Sequence, residues 1–142
     1  MEDLWPKDIK SESKIKLPVA ILREQGALLG EKTKNIVTGE VRESARQLQE
    51  RRVFDFTFYI TSTALEYAYR LFSISYKITL YPVVFTIADD DILKELGLES
   101  RHTYIEANNE EEFKDYLKRI FNSAKSKRVI SAILAHGEQG EI

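Results

Sequence analysis

A chain of 142 residues with 43% hydrophobic and 31% charged side chains is long enough to close one hydrophobic core and too rich in aromatics to be disordered. The formal net charge is −2 and there is no cysteine, so disulfide scaffolds, thiolate metal sites and cysteine nucleophiles are excluded together. A near-neutral balance also argues against a domain-wide basic footprint for nucleic acid.

The first sixteen residues, MEDLWPKDIKSESKIK, alternate charges and contain no apolar run of signal-peptide length. They predict a flexible polar tail over 1–16, with Trp5 as one large apolar group that would dock on the domain. No other stretch approaches the ~20 apolar residues of a membrane-spanning helix. These features together predict a cytoplasmic protein that makes no use of a membrane.

A single α+β domain is expected over 17–137, followed by a short tail over 138–142. Pro18 stands where a helix start tolerates its missing N–H, and Ile21, Leu22, Gln25, Leu28, Leu29 and Lys32 follow along one face. Gly26 and Gly30 each weaken that helix by about 1 kcal/mol relative to Ala, which is reasonable where something packs closely or the helix frays. From Asn35 to Glu43 the β-branched residues favour a strand, whereas residues 44–52 are good helix formers and stay open between strand, loop and helix.

Residues 53–76 hold eight aromatic side chains. In VFDFTFYIT the period of two places Phe54, Phe56, Phe58 and Ile60 on the core face. In LEYAYRLFSISYKI the apolar parity changes near Leu71 and Phe72, predicting a β-bulge or a strand whose ends are buried on opposite faces. YPVVFTI continues with Val83, Phe85 and Ile87 inward, and Pro82 is expected at the strand's first residue or on an edge.

Asp89 to Gly97 reads as a short helix, HTYIEA as a further strand, and residues 108–124 as a helix capped by Asn108 with Glu111. Its stripe would be Phe113, Tyr116, Leu117, Ile120, Phe121 and Ala124, and Ser126 would cap a last helix that buries Val129, Ile130, Ile133 and Leu134. The short links between strands predict an antiparallel β-meander of four to five strands, with the N-terminal helix and the C-terminal helices packed on one face.

Charge is unevenly spread in this half. Residues 87–115 carry ten acids against three bases, and residues 116–137 carry five bases and no acid. Acids at helix starts and bases at helix ends, complementing the macrodipole, account for such a split.

Catalytic chemistry finds no constellation. His102 and His136 lack a serine context of the G-x-S-x-G kind, and the glycines have no phosphate-loop spacing. The run Asp89, Asp90 and Asp91 lacks the alternation of a calcium loop and fits helix capping better than a metal site. We therefore expect no enzyme, no cofactor and no metal.

What remains is the aromatic sheet, with Tyr59, Tyr67, Tyr69, Arg70 and Tyr76 as candidate binding residues. Tyrosine tolerates half-exposed strand positions, so a protein partner or a second copy of the chain is the first expectation. The alternative is nucleic acid, its bases stacked on these rings with Arg51 and Arg52 at the rim. An apolar small-ligand carrier, with a pocket between the first helix and a curved sheet, is the third.

Overall fold

A computed structural model describes residues 1–9, 15–44, 53–98 and 104–139. Its elements run α1 (Pro18–Lys32), β1 (Thr38–Glu43), β2 (Val53–Ser62), β3 (Tyr67–Lys77), β4 (Leu80–Thr86), α2 (Asp90–Glu95), β5 (Tyr104–Ala107), α3 (Glu110–Phe121) and α4 (Ala124–Glu138). The five strands form one antiparallel sheet in the order of the sequence. This is the expected α+β meander between an N-terminal helix and C-terminal helices.

Register follows the period of two. Phe54, Phe56, Phe58 and Ile60 of β2 pair with Tyr76, Ile74, Phe72 and Tyr69 of β3, so all eight lie on the helix-covered face. Between Phe58 and Tyr59 the pairing jumps from Phe72 to Arg70, which leaves Leu71 as the extra residue. A β-bulge therefore explains the change of parity, and both Leu71 and Phe72 are buried.

The centre of that face is filled by rings. Phe58 stacks on Phe72 at 5.5 Å with planes 4° apart, Phe121 of α3 touches Phe58 at 5.2 Å, and Phe85 meets Phe113 at 5.3 Å. At the edge, α1 crosses β1 through two glycines. A Cβ on Gly26 would lie 2.3 Å from the Gly39 carbonyl oxygen, and one on Gly39 would lie 2.5 Å from Phe58. This close approach explains a glycine in mid-helix.

It also turns α1 relative to the expected face. Ile21 and Leu22 of the expected stripe are buried, together with Val19, Gly26 and Gly30, whereas Leu28 is exposed.

Several boundaries differ by a residue or more from the sequence reading. Asn109, not Asn108, caps α3 by accepting from Glu112 N–H at 2.8 Å, and the Glu112 carboxylate accepts from Asn108 N–H at 2.9 Å. Ser123, not Ser126, caps α4, and Ala124 opens that helix instead of closing α3. Pro82 is neither first in β4 nor on an edge. It sits where the β3–β4 register shifts and before the β5 pairing begins, so its missing N–H is not required there. Trp5, expected to dock, is 75% exposed. His102, Arg51, Arg52 and most of the open stretch 44–52 lie outside the described residues.

Candidate functional site

The five candidate binding residues do not form one platform. Tyr76 is 5% exposed and packs between Phe54 and Phe56 beneath α1, in the core. Burial pushes its hydroxyl above the ordinary tyrosine range, against the opposing pull of the Val19 N–H and Arg23. It presents no surface.

Tyr59 and Arg70 are cross-strand partners on the opposite, helix-free face. There the Arg42 guanidinium lies 4.3 Å over the Tyr59 ring and donates to Glu40 at 2.8 Å. That hydrogen bond holds the Glu40 carboxyl below its usual range, in spite of slight desolvation. The upper side of Tyr59 is thus already covered by the chain's own arginine. Beside it is a polar hollow of about 420 Å³ lined by Asp55, Thr57, Arg70, Ser73, Thr86 and Tyr104. Arg70 donates to Ser73 at 3.2 Å, and Thr57 and Ser73 share a 2.9 Å hydrogen bond. The register places Glu40, Asp55 and Glu106 on this face with Arg42, Arg70 and Lys77, so among the described residues its acids and bases balance.

Tyr67 and Tyr69 stand elsewhere, at the start of β3 on the helix-covered face. Helix α4 leans over this end with side chains shorter than the phenylalanines of α3. The result is a groove of about 530 Å³ whose walls are Leu65, Tyr67, Tyr69, Val129, Ala132 and Ile133. Tyr67 remains 43% exposed. Along the rim run Lys125, Arg128 and His136, which helical spacing aligns with Val129, Ala132 and Ile133.

The deep wall is fixed by a hydrogen-bonded cluster. Tyr69 donates its hydroxyl to Asp89 at 2.5 Å, and Asp89 also accepts from the Asp91 and Ile92 N–H groups as the N-cap of α2. Lys125 lies 3.6 Å from Asp89 and 3.8 Å from Asp91. Burial would raise the Asp89 carboxyl, but the Tyr69 hydroxyl, the two amides and Lys125 outweigh it and hold the carboxyl below its usual range. The same burial and hydrogen bond push the Tyr69 hydroxyl well above the ordinary tyrosine range. Asp89 is thereby accounted for as a cap and an anchor.

The bases of α4 correct the macrodipole reading. Lys118 and Arg119 do close α3, as that reading requires, but Lys125 and Lys127 stand in the first turn of α4, the unfavourable end for a cation, and Arg128 follows just past it. Lys125 is compensated by Asp89 and Asp91, whereas Arg128 pairs with no acid among the described residues. Sequence reasoning missed this rim because spacing does not reveal where one helix stops and the next begins. The signal was present as an acid-free run of bases interleaved with Val129, Ala132 and Ile133.

A second groove, of about 280 Å³, separates α1 from α4 and is lined by Leu28, Leu29, Ile60, Phe121 and Ile130. No described helix is long and apolar enough to cross a membrane. The fold and these surfaces define an α+β meander with one helix-covered face, one open polar face and an apolar groove at the edge of the covered one. No protein-family model, curated protein or solved structure matches the chain.

Proposed function

We propose that this protein is a non-enzymatic binding module, suited by its lack of cysteine to the reducing cytoplasm, that recognises a short protein segment in the groove between β3 and α4. The observation that carries the reading is the pairing of an apolar trough containing the half-exposed Tyr67 with a rim of Lys125, His136 and Arg128, the last of which pairs with no acid among the described residues. Apolar floors with aromatic anchors and charged edges suit a segment of apolar side chains flanked by acids.

The open sheet face supports nucleic acid poorly, because its described acids and bases are equal in number and Arg42 already covers Tyr59.

Selection of random peptides on the full-length protein, with counter-selection on Ala132→Glu, tests the reading. Ala132 is exposed on α4, so this change places a negative charge in the trough without disturbing the core. The expected result is enrichment of peptides that combine aromatic and acidic residues and lose binding to the variant. Equal binding to both proteins would remove the groove as the recognition site.

A further inference from the structure

The chain itself carries a segment of the chemistry this groove accepts. Residues 1–9, MEDLWPKDI, expose Leu4 (83%), Trp5 (75%) and Ile9 among the acids Glu2, Asp3 and Asp8, which outnumber the single base Lys7. Trp5 stands in water, and its one hydrogen bond among the described residues runs from its backbone N–H to Asp3. Large apolar groups held in water are costly, and a contiguous set of them marks an interaction segment more often than a neutral tail.

Both halves of an interface are therefore present in one polypeptide, and in this structure they are apart. The segment is an apolar centre between acids; the groove is an apolar trough beside Arg128, Lys125 and His136. Arg128, exposed on α4 and without an acidic partner among the described residues, gains one when an acidic segment lies along the rim. Resting on the proposed function, we infer that residues 1–9 of one copy dock in the β3–α4 groove of a second copy, with Trp5 against Tyr67 and the acids along the Arg128 rim.

Because every chain has one segment and one groove, two copies satisfy each other by reciprocal exchange about a two-fold axis, which closes the assembly at a dimer. Residues 10–17 provide up to ~27 Å of extended chain between the segment and α1, enough to cross to a neighbouring molecule.

Trp5 is the chain's one tryptophan, so its fluorescence reports this event without interference. The test is sedimentation of the full-length protein over a range of concentrations, with Trp5 emission recorded on the same samples. The expected result is a monomer–dimer equilibrium in which emission moves to the blue as dimer forms. Trp5→Ala and Ala132→Glu should each weaken dimerisation about tenfold or more, as truncation of a central anchor does. Mixing the two variants should give a heterodimer, because one intact segment then meets one intact groove. Arg128→Glu, on the exposed rim, serves in place of Ala132→Glu if that variant fails to fold.

A monomer with blue-shifted emission that Ala132→Glu abolishes would mean that the segment closes on its own groove, and would overturn exchange between copies. A monomer with water-exposed emission at every concentration would overturn segment docking altogether. In that last case, peptides selected on the groove would still uphold the proposed function, and their absence would remove both.

Discussion

The helix-covered face of the sheet has two halves built to different standards. Under α1 and α3, Phe58, Phe72, Phe85, Phe113 and Phe121 interlock at ring separations of 5.2 to 6.1 Å and exclude water. Under α4 the covering side chains are Val129, Ala132 and Ile133, and Tyr67 stays half exposed beside them. The β2–β3 hairpin passes through both halves, and the Leu71 bulge lies near the change from one to the other. Closely filled space contributes stability, and space left open at comparable cost in backbone order is available to a partner.

Substitutions that separate the two halves make this contrast measurable. Phe58→Ala should cost about 3–5 kcal/mol in chemical denaturation, since it removes a ring that touches both Phe72 and Phe121. Gly26→Ala should cost about 1–3 kcal/mol in spite of its gain in helix propensity, because the added carbon meets the backbone of β1, which cannot rotate away. A neutral result would mean that α1 rides further from the sheet than its glycines imply.

Asp89 links the two halves through Tyr69 and α2. Its carboxyl titrates lower in the folded protein than in the unfolded chain, where the value is about 3.9. Its contribution is therefore complete above that range and is lost as pH falls through the folded value. Asp89→Asn keeps a cap acceptor but not the charge, so acid titration of stability should be shallower in the variant than in the wild type. Parallel acid profiles would detach this carboxylate from the stability of the fold.

Tyr67→Ala should change stability by less than about 1 kcal/mol, as expected of a half-exposed side chain, and should abolish binding of groove-selected peptides. The smallest effect belongs to Tyr81→Phe. The Tyr81 hydroxyl is buried without a partner among the described residues, and burial pushes it up to about 12. Removing it should leave the melting temperature unchanged or raise it slightly.

Much of the fold was legible in the sequence because its strands keep a period of two on either side of the bulge and its links are short. The bulge showed itself as a change of parity at Leu71, and the mid-helix Gly26 announced a close approach before its neighbour was known. Helix ends were less legible, since Asn108 and Asn109, or Ser123 and Ser126, offer the same capping chemistry at positions one to three residues apart and tertiary packing selects between them. The candidate site was the least legible. Tyr59, Tyr67, Tyr69 and Tyr76 look alike in a strand pattern, but the bulge and the helix positions distribute them among the open face, the groove and the core. Nor does sequence order reveal that α4 brings Arg128 to the groove that Tyr67 lines, a juxtaposition that exists only after the meander has folded.

The most direct test is an amide chemical-shift titration of the full-length protein with a synthetic peptide copying residues 1–9. The groove account predicts perturbations that cluster at Leu65, Tyr67, Tyr69, Arg128, Val129, Ala132 and Ile133, with the open face unmoved. Perturbations centred on Tyr59, Arg70 and Tyr104, or none at saturating peptide, would contradict it.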